Sequence, residues 1–346
     1  GIVKIKNSVF YKNTANYGGA IYNNSNELLI DSCVFIENSA VHGGAIRMRK
    51  TGATISNCRF FDNYASTDGG AIKIVSNSSV KVYSSIFKGN RAKSSGGAVY
   101  VQDQAAIFFI NNLVVANTGF NGAGIACVEA SPYIINNTIY GNSASGHGGG
   151  IHMDVSSPKI YNTIVSENAA GYNGNDLYED NGNPRIENSL IGVEVNFTDA
   201  EKEDFSLSPL SSAIDSGRDT AWLRLPKLDL AGNPRVSGGR IDIGAYEYQD
   251  GTNVAMDWQS PRTWWAERKG DVITFRVSEQ KGANLLLKIY DVSGKQAALL
   301  SPVVKAGELM YQWPLTSKSG EIKPGMYILH MQDNNQTLLR GSVVVR

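Results

Sequence analysis

Charge is scarce in this sequence, and what there is cancels: charged residues make up 18% of 346 positions, with Lys+Arg and Asp+Glu equal at 32 each. A chain without a basic excess is poorly suited to nucleic acid or an anionic membrane surface, because both select for one. Cysteine is rare too. Cys33, Cys58 and Cys127 form no CxxC motif and no Cys/His cluster, which argues against a zinc site. No apolar run approaches the ~20 residues needed to span a bilayer. Nor does any stretch of ten or more residues carry a 3.6-residue amphipathic period, which argues against helical solenoids. Glycine, by contrast, is plentiful at 36 residues, and 42% of the chain is hydrophobic, as expected of a turn-dense β protein with a real core.

What the sequence does contain is a repeat. One asparagine marks its period at Asn13, Asn38, Asn63, Asn90, Asn117, Asn142 and Asn168, with spacings of 25, 25, 27, 27, 25 and 26. Three residues before each stands a large apolar side chain (Phe10, Phe35, Phe60, Phe87, Val114, Ile139, Val165), and eight before stands another (Ile5, Ile30, Ile55, Val82, Phe109, Ile134, Ile160). A glycine turn follows each of the first six asparagines, from Gly18-Gly19 to Gly148-Gly149-Gly150, and leads into Ile21, Ile46, Ile72, Val99, Ile125 or Ile151. A coil of about 26 residues cannot bury its own apolar side. Stacked at ~4.8 Å per rung, such coils form continuous parallel sheets around one tubular core, and the asparagines become a ladder of amides. The reading is therefore an all-β protein built on a parallel β-helix of about seven to eight coils. The chain opens inside a repeat, at Gly1-Ile2-Val3-Lys4, which reads as a processed or shortened start and leaves secretion open.

The pairing of Phe10-x-x-Asn13 with Gly18-Gly19-Ala20-Ile21 recurs at Phe35/Asn38, Phe60/Asn63 and Phe87/Asn90 with their GGA[IV] turns. It resembles the repeat of chlamydial polymorphic outer-membrane proteins and of many bacterial surface β-helices, and that resemblance implies right-handed coils. Coils five to seven depart from it, with Val or Ile in place of Phe.

The repeat fades after Leu190-Ile191, dividing the chain into repeats at 1–194 and a segment at 195–252 placed to cap the open end of the helix. Within that segment, Ala213-Ile214-Asp215-Ser216-Gly217, Asp229-Leu230-Ala231-Gly232-Asn233-Pro234-Arg235 and Ile241-Asp242-Ile243-Gly244-Ala245-Tyr246-Glu247 resemble the terminal segment of the choice-of-anchor Q proteins of Bacteroidota. Its Asp and Arg residues read as cap ion pairs and turn formers rather than as catalysts.

Residues 253–346 switch to period-2 apolar runs separated by turn residues, as in a small antiparallel Ig-like β-sandwich. Leu287 to Lys295, Pro324 to Leu329 and the basic end Val343-Val344-Val345-Arg346 resemble the C-terminal sorting domain of type IX secretion substrates. That resemblance implies Tyr290, Asp291, Gly294, Gly325, Tyr327 and Arg346 as sorting-signal residues. It implies as partners the secretion translocon and its outer-membrane shuttle barrel, and a final address outside the cell or on the outer-membrane surface after transit through the periplasm.

Functional candidates are the side chains that break the repeat's uniformity. The residue after each post-glycine aliphatic should face outward, giving the column Tyr22, Arg47, Lys73, Tyr100, Ala126, His152 and Tyr178. Rings and cations one rung apart can stack sugars and grip acidic glycans, although Tyr, Arg and Lys are also ordinary on solvated strands. Glu37 and Asp62, equivalent on adjacent rungs with Lys12 one rung away, could hold Ca²⁺; no other cofactor is implied. His42, His147 and His152 lack a nucleophile in supporting context and read as surface residues. Cys33 and Cys58 sit one rung apart, and parallel side chains make a disulfide awkward, so free thiols are expected. The expected function is a non-catalytic binding, adhesion or display rod directed at glycans. The alternatives are a polysaccharide lyase or glycoside hydrolase working in the groove, and a structural subunit of a surface layer or filament.

Overall fold

The computed structural model describes residues 2–24, 27–218 and 226–249, together with the strands that lie between 265 and 345. Two compact units divide at Met256/Asp257. The first is a parallel β-solenoid of about seven coils, and apart from one short turn of 3₁₀-helix its described residues hold no helix. No helix among the described residues is long and apolar enough to cross a membrane.

Each coil contributes one strand to each of four parallel sheets. Sheet A runs from Val3–Lys6 to Arg185–Glu187 and sheet B from Val9–Tyr11 to Leu190–Ile191, eight strands each. Sheet C runs from Thr14–Tyr17 to Ala169–Ala170 and sheet D from Ile21–Asn24 to Leu177–Asp180, seven strands each. The pairing keeps repeat positions in register, as in Ile5↔Ile30↔Ile55 and Phe10↔Phe35↔Phe60. The inward columns merge into a single core that contains Ile30, Phe35, Ile46, Phe60, Ile72, Phe87, Ile125 and Ile160. Within it Phe10, Phe35, Phe60 and Phe87 stack nearly flat, with ring centroids 4.7–4.8 Å apart.

The asparagine ladder is continuous. Each Nδ2 donates to Oδ1 of the next coil's asparagine at 2.8–2.9 Å, from Asn13 through Asn168. Asn168 donates in turn to Oδ1 of Asp176 at 2.8 Å, so a carboxylate ends the series. A second polar series runs beside the A–B corner: Cys58 N donates to Ser85 Oγ (3.0 Å), Ser85 N to Asn112 Oδ1 (3.0 Å), and Asn112 Nδ2 to Asn137 Oδ1 (3.1 Å). Cys33 and Cys58 fill this column as free, buried thiols. Their Sγ atoms donate to the carbonyls of Asp31 (3.4 Å) and Ser56 (3.0 Å) rather than closing a bond.

All four corners of the coil use left-handed backbone, and glycine serves mainly at one of them. The A–B corner uses Asn7, Ser32, Asn57, Ser84, Asn111, Asn136, Asn162 and Asn188. Asparagine and serine tolerate this region because a short polar side chain bonds locally. The D–A corner includes Val155 at φ 48°, where a β-branched side chain is strained and 56% exposed. Asn181 occupies the corresponding corner one coil on, at φ 55°. Val155→Asn is therefore expected to stabilise the solenoid by about 1 kcal/mol. An unchanged or lower urea midpoint would contradict this.

The described residues of the segment, 195–218 and 226–249, do their covering along the flank of the solenoid. The outward side chains of sheet B (Ile86, Leu113, Val115, Tyr140, Ile164, Leu190) are apolar in the later coils, and an exposed stripe of this kind demands a partner. Phe197, Phe205, Leu207, Ile243, Ala245 and Tyr246 pack onto it. The corner asparagines then tie the segment down. Asn111 Nδ2 donates to Leu228 O (3.3 Å), Asn136 Nδ2 to Asp242 O (3.2 Å), Asn162 Nδ2 to Arg218 O (2.8 Å) and Asn188 Nδ2 to Ser216 O (3.2 Å).

In the second unit, Trp265–Lys269, Val272–Ser278, Glu308–Pro314 and Val303–Lys305 form one antiparallel sheet. Gln296–Leu300, Leu286–Asp291, Gly325–Asp333 and Gln336–Val345 form another. Burial alternates with period two: Ile273, Phe275, Tyr311, Trp313, Leu287 and Ile289 are buried. The last strand, Gln336–Val345, pairs with Gly325–Asp333 along its length.

Candidate functional site

The outward column on sheet D exists as a register: Tyr22↔Arg47↔Lys73↔Tyr100↔Ala126↔His152↔Tyr178. It is not an open strip. Tyr22 is 44% exposed, but Lys73, Tyr100 and His152 are buried at 6, 7 and 8%. Rungs this close let long side chains lie on one another, and the residues of the glycine corner fold over them. Arg47 sits 4.2 Å above the Tyr17 ring. Lys73 Nζ lies 4.7 Å over Tyr100 and donates to Asp68 Oδ2 at 2.8 Å. Tyr178 stacks 4.3 Å from His147 and 5.5 Å from His152. His152 is thus covered on the outward face rather than exposed at the surface, and burial holds its imidazole below the ordinary pKa. His42, only partly exposed, is likewise lowered by burial and then by Lys73 and Arg47. A ligand on this face meets chiefly the two ends of the column, Tyr22 with Arg47, and Tyr178.

Glu37 and Asp62 lie in the B–C corner, both left-handed, at φ 51° and 53°. Burial first, and Glu37 second, raise the Asp62 carboxyl above its usual range. Glu37 is already paired with Lys12 at 3.2 Å. Among the described residues no group of three His, Cys, Asp or Glu side chains is close enough to hold a metal ion. Any Ca²⁺ held by the pair would therefore take its remaining oxygen ligands from carbonyls and water.

The acidic and basic residues of the flanking segment are used in packing. Arg235 is buried; its guanidinium donates to Gly244 O (2.6 Å), Asp242 O (3.2 Å) and Asn111 Oδ1 (3.2 Å) and faces Glu247 at 3.8 Å. Burial holds the Glu247 carboxyl up to about 8, against the pull of Arg235. Asp229 and Asp242 accept backbone N–H groups from Asn233, Glu247, Asp215 and Tyr248, the work of turn formers.

Of the proposed sorting residues, four fall on paired strands at one end of a sheet. Tyr290 and Asp291 close a strand opposite Ile328 and Tyr327, and Gly325 opens the next, opposite Val345. Gly294 and Arg346 lie outside the described residues.

Sheet A carries a second outward face of rings and cations. Its outward register is Lys81↔Phe108↔Tyr133↔Lys159↔Arg185. Phe108 and Tyr133 stack at 4.9 Å and 6°. Lys159 Nζ lies 4.5 Å over Tyr133 and donates to its hydroxyl at 2.8 Å. Tyr133, Lys159, Tyr161 and Arg185, with Arg218 from the flanking segment, line a cleft of about 260 Å³. Glu187 accepts from both arginines, which holds its carboxyl below the usual range, Arg185 contributing most. The alternation that exposes this column was present in the sequence, one residue before each inward Val82, Phe109, Ile134, Ile160 and Ile186. The contribution of Arg218 was not.

The Chlamydia polymorphic membrane protein repeat matches residues 7–24 and 84–102. The coils are polymorphic-membrane-protein-like. Both matched stretches run from the A–B corner through the phenylalanine and asparagine positions and the glycine turn into sheet D. The polymorphic-membrane-protein-like signature thus coincides with the Phe10 and Phe87 rings, the Asn13 and Asn90 amides and their glycine corners. No curated protein matches the chain.

Proposed function

We propose that this protein is a surface-displayed, non-catalytic binding rod for glycans, carried across the outer membrane by type IX secretion. The observation that carries the reading is the polymorphic-membrane-protein-like repeat, kept in register through seven rungs of amide ladder. Such a solenoid holds its faces rigidly and presents side chains at a fixed spacing. Likeness to repeats of membrane-associated proteins supports a place at the cell surface. The resemblance of Leu287 to Lys295 and Pro324 to Leu329 to sorting domains supports the route. Rings and cations facing outward on sheets A and D support glycans as ligands.

The test is display in a host with type IX secretion, the chain being produced behind an export leader. Full-length protein should be removed from intact cells by added protease. A chain lacking 271–346 should accumulate in the periplasm, protected. Normal surface exposure of the truncated chain would overturn the export route, and depolymerisation of a glycan by purified protein would overturn the non-catalytic role.

A further inference from the structure

We propose that the cleft formed by Tyr133, Lys159, Tyr161, Arg185 and Arg218 is a binding site for an acidic oligosaccharide lying along the rod. This rests on the binding-rod reading and adds to it a site and a ligand charge. Among the described residues three cations and one carboxylate, Glu187, meet at the cleft, an excess of two positive charges. Glu187 bonds both Arg185 and Arg218 and so holds two guanidinium groups side by side, the arrangement that receives a carboxylate or sulfate through paired hydrogen bonds. One rung away, Lys159 supplies a point charge. Beyond it, the Tyr133 ring lies between Phe108 on one side and the Lys159 ammonium on the other, and the edges of the two stacked rings give an apolar rail along the rod against which a sugar's apolar face can lie.

Charge and apolar ring edges therefore follow one another along the axis at the ~4.8 Å rung spacing, which suits an extended chain of sugars better than a single anion. An acidic peptide is less well served. Peptides commonly dock by adding a strand to a free sheet edge, whereas Tyr133–Ile135 and Lys159–Tyr161 are each paired on both sides. Nucleic acid is disfavoured by the zero net charge of the chain.

The experiment is calorimetric titration of the full chain with oligogalacturonate, a sulfated heparin-derived oligosaccharide, neutral malto-oligosaccharide and poly-glutamate. The wild type should bind at least one of the two acidic sugars, more weakly as salt rises, and prefer it to poly-glutamate. The stronger of the two identifies carboxylate or sulfate as the recognised group. K159Q with R185Q should weaken that binding about tenfold or more, and Tyr133→Ala should do likewise, with unchanged thermal midpoints showing that the solenoid is intact. Acidic-sugar binding undiminished in these variants would refute the cleft while leaving the rod reading standing. Poly-glutamate bound as tightly as the sugars would reassign the cleft to acidic peptides. No binding of either acidic sugar would overturn the proposal, while the display assay separately decides the surface role.

Discussion

Asn90→Ala should destabilise the solenoid by about 3–6 kcal/mol, while the same change at Asn13 should cost under ~1 kcal/mol. Asn90 is fully buried. Its Oδ1 accepts from both the backbone N–H (3.1 Å) and the Nδ2 (2.9 Å) of Asn63. Its Nδ2 donates to Phe60 O and to Asn117 Oδ1, each at 2.9 Å. Truncation leaves two donors of Asn63 and the Phe60 carbonyl without these partners in a place with little room for water. Each such loss costs ~1–3 kcal/mol, and it is the orphaned groups rather than the missing amide that set the total. Asn13 is exposed, so water replaces what its truncation removes. Urea denaturation of both variants measures the difference. Equal losses would mean that the ladder contributes no more in the interior than at its end.

Gly70→Ala should be worse tolerated than its single methyl suggests, at a cost of at least ~3 kcal/mol. A Cβ on Gly70 would lie 2.0 Å from the carbonyl oxygen of Gly97 and 2.7 Å from backbone atoms of Arg91. Those atoms belong to the next coil, which is held by ladder bonds such as Gly70 N to Gly96 O at 2.9 Å and cannot retreat without breaking its own rungs. Ala123 stands at the matching sequence position in coil five. There the crowded place has moved one residue on, to Gly124, whose added Cβ would lie 2.5 Å from Gly150 O. Gly141→Ala is the control: its φ of 63° costs about 1 kcal/mol in a residue with a side chain, but nothing lies within 4 Å of the new atom. If Gly70→Ala and Gly141→Ala melt at the same denaturant concentration, backbone contact between coils is not why glycine is needed at position 70.

Most of the solenoid was legible because every coil repeats the same local problem. Stacking in register turns a spacing in the chain into a column in space, so the asparagine period, the phenylalanine stack and the inward aliphatics could be read without coordinates. The same logic named the sheet D column correctly as a register and wrongly as an open surface. Alternation tells which way a side chain leaves the strand, but not what folds over it. Lys73 is covered because Asp68 from the corner reaches its ammonium and Tyr100 lies beneath it.

What the chain determined by itself is thus the period, the inward columns and the ladder, all relations between residues about one coil apart. What only the tertiary structure decided joins residues with no periodic relation. Arg235 reaches Asn111 across 124 positions, Asn136 meets Asp242 across 106, and Arg218 completes a cleft begun by Tyr133. The ladder itself ends on Asp176, in a turn that departs from the repeat. The physical reason is that backbone pairing between coils propagates a local pattern one rung at a time. The flank of sheet B, by contrast, had to be covered by whichever later segment could bury an apolar face against Leu113, Tyr140 and Ile164.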